Sequence, residues 1–314
     1  MAATTSAVEA PAPEEQVGAA APSLAAGAGA KVLLVVGAVA AVGLVWTGYK
    51  AMGEATGGTW PLTDVDLPVP TDDRTLPPFA DVLTRFFDPQ RAGDSTPLWR
   101  FVLDAALFTF REAAAGFVAG LVIGLGLALV MLRSGWLERG LLPYVIVSQT
   151  VPLIALAPLV VAWGNQIDVG VVEWQPWMSV SIIATYLTFF PVSVNALRGL
   201  KSPQPHSVEL MRSYAASWWQ TVVKLRFPAA VPYLVPALKV AATSAVVGAI
   251  VGEISAGVRG GLGRLIIDYA QQYLTDPARL YCAVIGAGIL GVGFVALVDL
   301  ADRLLAHHRP REAR

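Results

Sequence analysis

The side chains best suited to chemistry in this chain are gathered between Glu209 and Pro228, in the stretch ELMRSYAASWWQTVVKLRFP. It is polar and basic, and it lies between two strongly apolar runs. Glu209, Arg212, Lys224 and Arg226 supply charge, and Trp218 and Trp219 supply large faces that are apolar on one side and polar at one edge. Arginine and aromatic anchors are what a protein docking contact uses. The same side chains also hold a surface helix at lipid headgroups. On the residues alone both readings stay open. Bond-making chemistry has no such support. No GK[ST] phosphate loop occurs. His206, His307 and His308 lack a metal-ligand spacing, and no nucleophile is clustered with a base. No catalytic residue, metal or cofactor is expected on this chain.

Local signals inside the stretch predict a helix–turn–helix. Lys201–Pro205 is a turn-rich entry, and Val208–Tyr214 has no breaker. Ala215 and Ala216 allow a close bend, and an alanine there implies a turn without positive φ. Ser217 is placed to cap a helix from Trp218 to Leu225. Phe227-Pro228 is expected to end that helix, because the residue before proline disfavours the helical region.

The rest of the chain reads as a scaffold in lipid. Its 314 residues are 55% hydrophobic and 14% charged, against about 25% charged for a soluble domain. The charges leave six free runs: Val32–Tyr49, Ala113–Leu132, Gly140–Ile167, Trp174–Leu197, Phe227–Gly252 (broken only by Lys239) and Leu280–Val298. Each is long enough to span a bilayer as a helix. The expected fold is therefore an all-α integral membrane protein with six transmembrane helices. Their interiors hold no Asp or Glu, which argues against an ion-coupled carrier or channel, the alternative class. With the N-terminus inside, the inside segments carry 12 Lys and Arg against 8 acids, and the outside segments 8 against 13. Both termini are thus expected to face the cytoplasm. Net charge is −1, which gives nucleic acid no bulk attraction.

Residues 1–30, rich in Ala, Pro and Glu, read as a disordered cytoplasmic tail, followed by a retained first helix over 31–50 rather than a cleaved signal. Residues 51–97 read as an external loop with a short helix around Phe79–Phe87. Residues 98–298 form the core, with a cytoplasmic loop at 199–228, and 299–314 form a cytoplasmic tail. Gly116, Gly120 and Gly124 make a stripe for close helix approach, and Gly286, Gly288, Gly291 and Gly293 crowd the last run. Pro143, Pro152, Pro158, Pro232 and Pro236 predict kinked packing, or else broken helices near a transport path. Lys239 is placed to snorkel to headgroups. Glu253, near the outer end of its run, suits either a gate or an interface marker.

The stretch resembles the EAA loop of the binding-protein-dependent permeases of ABC importers. Glu209 matches the Glu of that loop, Leu210 and Met211 replace its alanines, Ala215 stands where Gly is usual, and Leu225, Phe227 and Pro228 match its end with the spacing intact. Gly116-Phe117, the run from Val151 through Pro152 to Pro158, Phe190-Pro191 and Val251-Gly252-Glu253 are similar to the subgroup importing nitrate, sulfonates, taurine or thiamine-pyrimidine precursors. The resemblance implies a five-helix MetI-like core preceded by one helix. It also implies a homodimer, two copies of a cytoplasmic ABC ATPase, an extracytoplasmic solute-binding protein, and a multi-pass position in a bacterial inner membrane. The ATPase would seat on Glu209, Met211, Arg212, Ala215, Ala216, Ser217, Trp218, Leu225 and Pro228. Glu253, Pro152 and Pro158 are candidates for the translocation path. The solute expected is a small organic molecule or anion of the sulfonate, taurine or nitrate type, or a thiamine or riboflavin precursor.

Overall fold

Long apolar runs ended by charge fold here as long helices, because in lipid only internal hydrogen bonding satisfies the backbone. The computed structural model describes residues 28–61, 65–90, 93, 95–164, 166 and 174–306. Residues 1–27 of the expected 1–30 tail, His307 and His308, and the connector 167–173 lie outside these described residues. The chain divides into two units, Met1–Tyr49 and Lys50–Arg314. The first contains most of α1 (Ala28–Thr56), a helix of 29 residues that exposes Leu33, Val36, Val39 and Val42.

In the second unit, Leu98–Arg133 (α3), Pro176–Leu200 (α6), the stretch Trp218–Ala256 and Pro277–Leu304 are each long and apolar enough to cross a membrane. Gly135–Ser148 (α4) and Leu153–Gly164 (α5) are bent by 99° at their break and, taken as a pair, are apolar enough for a fifth span. The contacts fix the directions. Gly116 meets Ala184, Gly120 meets Thr188, and Gly124 meets Val192, so α3 and α6 run parallel. Gly199 meets Ala230 and Gly252 meets Val180, so Phe227–Ala256 (α9) runs the other way. Val102 against Gly286, with Phe110 and Phe117 edge-on to Phe294, sets Pro277–Ala306 (α11) parallel to α3. With α3 and α6 parallel, the α4–α5 pair must carry the chain back across. One face of the bundle therefore holds the 133–135 turn, the 199–228 loop and the end of α11. The far face holds the start of α3, the 174–176 entry to α6 and the 256–277 connection.

The glycine stripe explains the closest packing. A Cβ on Gly116 would lie 2.4 Å from the Ala184 Cβ, and one on Gly120 would lie 2.5 Å from the Thr188 Cβ. In the last span only Gly286 has this role, against Val102, while Gly288, Gly291 and Gly293 face open space. Buried apolar residues form three clusters along the bundle. One, near the loop face, is built on Met131, Leu197, Leu200 and Ala230. A central one holds Ala113, Ala184, Ala245 and Phe294. At the far face, Val82 of α2 (Phe79–Arg85) and Leu262 and Tyr269 of α10 (Leu262–Gln271) close over Leu98, Val102 and Cys282.

Four expectations need correction. The third run is broken rather than kinked: the helix stops between Ser148 and Leu153, where Pro152 has no N–H to donate, and the Ser148 carbonyl accepts instead from the Val151 N–H at 3.3 Å and from the Tyr186 hydroxyl. The second span is longer than its charge-free run, since α3 begins at Leu98 and takes Asp104, Arg111 and Glu112 into the helix. Lys239 does not simply snorkel; its Nζ is 2.5 Å from Asp299 Oδ1 on α11. Phe227-Pro228 also does not stop the helix. Val222–Arg226 forms a π turn that leads directly into α9. A widened turn moves the carbonyl that the proline ring would otherwise strike.

Candidate functional site

The 199–228 loop is a handle fixed at its base to two crossing helices. Arg226 Nη1 donates to the Leu200 carbonyl at 3.0 Å, and Ser202 Oγ donates to the carbonyls of Gly199 at 2.8 Å and Ala229 at 3.3 Å. Gly199 lets the Ala230 backbone approach so closely that an added Cβ would sit 2.9 Å from the Ala230 Cα. Lys201 pairs with Glu138 of α4, and the Arg133 guanidinium stands 5.8 Å from the Trp218 ring. The loop is thus tied to α3, α4, α6 and α9.

Its tip is built by two caps back to back. The helix α7 (Pro205–Ser213) ends in a Schellman motif, with Ala215 N–H donating to the Arg212 carbonyl at 2.9 Å and Ala216 N–H to the Met211 carbonyl at 3.0 Å. Ser217 then caps α8 (Trp218–Thr221) in a capping box with Gln220: 3.2 Å from Gln220 N–H to Ser217 Oγ, and 2.7 Å from Ser217 N–H to Gln220 Oε1. The Ser217 cap is the one expected. The turn is not. Ala215 has φ +52°, and it is the one non-glycine with positive φ among the described residues. The Schellman geometry demands the left-handed region at this position, which explains why glycine is usual there. A Cβ in that region costs about 1 kcal/mol. Ala215→Gly is therefore expected to slow hydrogen exchange of the Ala216 amide and to stabilise the loop by about 0.5–1 kcal/mol, read by exchange mass spectrometry and thermal unfolding.

The tip buries nothing on α7. Leu210, Tyr214, Trp219 and Val223 are exposed, while Met211, Trp218 and Leu225 are half-buried and Arg212 and Pro228 exposed. Glu209 borders a groove of about 440 Å³ that is also lined by Lys201, Arg212 and Arg226. Apolar and aromatic side chains grouped beside a charged groove are the composition of a docking surface.

The path candidates lie elsewhere. Pro152 is exposed at the α4–α5 break and Pro158 is exposed inside α5. Glu253 is fully buried on α9. Its Oε2 accepts from Gly263 N–H at 2.6 Å and its Oε1 from the Thr109 hydroxyl at 2.7 Å, while Thr109 Oγ1 accepts from Leu262 N–H at 2.8 Å. The carboxylate therefore staples α3 to the turn before α10. Beside it is Glu112, also fully buried, with neither carboxylate oxygen hydrogen-bonded among the described residues. Thr109 and Glu112 are not apparent from the sequence, because the charge-free run begins at Ala113. The signal for the staple was Gly260-Gly261-Leu262-Gly263 following Glu253. Glycines at 261 and 263 let the backbone come against the carboxylate, since an added Cβ at Gly261 would sit 2.0 Å from Oε1.

Residues 120–309 match the family of the binding-protein-dependent transport system inner membrane component. The chain belongs to this family. It is the permease of an ABC importer, a transport subunit and not an enzyme. The permease is 33% identical over 198 residues to the formylaminopyrimidine transport permease protein ThiX of Halalkalibacterium halodurans, covering 63% of this chain and 74% of that one. It is 30% identical over 230 residues to the riboflavin transport system permease protein RibX of Chloroflexus aurantiacus, covering 73% and 79%. Its fold resembles the MetNI methionine ABC transporter in an inward-facing conformation, with TM-score 0.52 and 22% identity over 68% of this chain and 96% of that one.

Proposed function

We propose that the Glu209–Pro228 loop is the coupling element through which a separate ABC ATPase moves this permease. On this reading the loop face is cytoplasmic, α1 is a sixth crossing, both termini lie inside, and two copies of the permease work with two ATPases and an external solute-binding protein in a bacterial inner membrane. The observation that carries the reading is the handle's construction. An exposed aromatic and basic tip is held by two caps, and its base is hydrogen-bonded and packed into α6 and α9. Closure of the ATPases would tilt these helices as one body and alternate access to the path. The solute is a small organic molecule or anion, in keeping with what the names of ThiX and RibX say those relatives transport.

Ion-coupled transport is the second reading, and the buried Glu112–Glu253 neighbours are what favour it. Their depth weighs against it. Glu112 is about 31 Å along α3 from Arg133 at 1.5 Å per residue, which is the outer edge of a hydrocarbon core of about 30 Å. Family membership also supports the ATP-driven reading.

The test is co-purification. Glu209→Arg combined with Ala215→Val reverses the groove's charge and places a β-branched residue where φ is positive. The double variant is expected to reach the membrane at wild-type level and to lose at least about 90% of the co-purified ATPase, a tenfold loss corresponding to 1.4 kcal/mol of docking. An ATPase still bound at wild-type stoichiometry would overturn the proposal.

A further inference from the structure

At the far face a cleft of about 750 Å³ opens between α3, α5, the start of α6 and the turn after α9, lined in part by Phe108, Arg111, Trp177 and Arg259. We propose that this cleft is a binding site for a planar organic anion, a flat ring bearing a carboxylate or sulfonate, on its way into the permease. The inference rests on the importer reading above.

The argument begins with Arg111. It is drawn into an apolar, lengthened α3, and its guanidinium lies 5.0 Å from the centre of the Phe108 ring and 4.7 Å from that of Trp177. Two rings hold the cation by their faces, and stacking of this kind leaves guanidinium N–H groups at the edge free to bond. Arg111 makes no ion pair among the described residues, and it remains exposed. The second cation, Arg259, sits on the turn between Gly257 (φ +67°) and Gly260 (φ +110°), and it too is exposed and without an ion pair among the described residues. Glu112, which follows Arg111 in the chain, and Glu253 on α9 are both fully buried. No acid therefore lines the cleft among the described residues, and two guanidiniums and an indole face a space large enough for a small molecule. Asp168 and Glu173 lie in the connector outside those residues.

The chemistry selects its ligand. A guanidinium recognises a carboxylate or sulfonate through paired N–H donors, and Trp177 and Phe108, which line the same cleft, give aromatic contact to a ring attached to that anion. A neutral ring would keep only the stacking, and an aliphatic anion only the charge. An anionic lipid headgroup presents the same charge, so the experiment separates the two sources.

The permease, purified with its ATPase, is placed in phosphatidylcholine nanodiscs and titrated with 2-naphthalenesulfonate by calorimetry. Saturable binding is expected, with 2-naphthalenesulfonamide and taurine each weaker by about tenfold or more. Arg111→Gln and Arg259→Gln should each weaken naphthalenesulfonate by about tenfold, while Arg111→Lys recovers part of the affinity. Unchanged thermal unfolding and unchanged ATPase co-purification show that each variant is folded, and Arg259→Gln on its exposed turn keeps the test alive if Arg111→Gln is not. Equal binding of the neutral sulfonamide, or wild-type affinity in both Gln variants, overturns the proposal. So does loss of binding when phosphatidylglycerol replaces half the lipid, because the cleft then belongs to headgroups. Loss of ATPase docking with naphthalenesulfonate binding intact would sink the coupling proposal and leave this site standing.

Discussion

Gly120→Leu is expected to abolish the folded permease, while Gly126→Leu on the same helix is tolerated. A Cβ at Gly120 would lie 2.5 Å from the Thr188 Cβ, 2.7 Å from its Cγ2 and 3.1 Å from the Phe189 backbone nitrogen. Thr188 cannot swing away, because it is fully buried and its hydroxyl donates to the Ala184 carbonyl at 2.8 Å. Only separation of α3 from α6 makes room. That separation would also undo the contacts at Gly116 and Gly124, and with them the most extensive helix pairing in the bundle. Overpacking usually costs about 1–3 kcal/mol, and a rigid neighbour puts Gly120→Leu at or above the top of that range. A Cβ at Gly126 meets nothing within 4 Å, and there the exchange removes a poor helix former. The pair is read by monodisperse yield in detergent and by thermal unfolding. Equal yield and midpoint for the two variants would show that α3 and α6 are not packed as described.

What the residues disclosed in advance follows from which forces act locally. Four long spans of the second unit, the glycine stripe, the Ser217 cap and the short helix near Phe79 were legible because each depends on hydropathy or on residues a few positions apart. The handle was legible as a helix–turn–helix for the same reason. Its turn was misread, because alanine at 215 hides a left-handed residue that only the pairing of Ala216 with Met211 reveals. The continuation through Pro228 was hidden likewise, since proline normally interrupts and the π turn that accommodates it has no signature of its own. Span ends were the weakest point. A charge reads as a boundary, yet Arg111 and Glu112 enter α3 because Phe108 one turn back and Trp177 of α6 supply rings for the one and burial in the bundle encloses the other. Distant partners of that kind, such as Thr109 with Glu253 across 144 positions, are set by tertiary packing and leave no local pattern.

Glu253 is where this matters most, and Glu253→Ala is expected to destabilise the permease by about 3 kcal/mol or more. Truncation strands the Gly263 N–H and deprives the Thr109 hydroxyl of its acceptor, and a buried polar group left unpaired costs about 1–3 kcal/mol. It also empties a space that Gly261 and Gly263 were shaped to surround. Glu253→Gln keeps a carbonyl oxygen for Gly263 and should cost about 1 kcal/mol. Thr109→Val, which removes the link to Leu262 as well, should fall between the two and add little on top of Glu253→Ala, because both act on one network. Thermal unfolding of the wild type, the three single variants and the double variant gives the order, and exchange of the Leu262 and Gly263 amides shows where the loss occurs. If Glu253→Ala unfolds like the wild type, the staple is not holding α3 to the α9–α10 turn. If it unfolds as expected, the residue that the sequence offers as a gate acts instead by position. It fixes the turn that carries Arg259, so the far-face cleft keeps its second cation only while this buried carboxylate keeps its bonds.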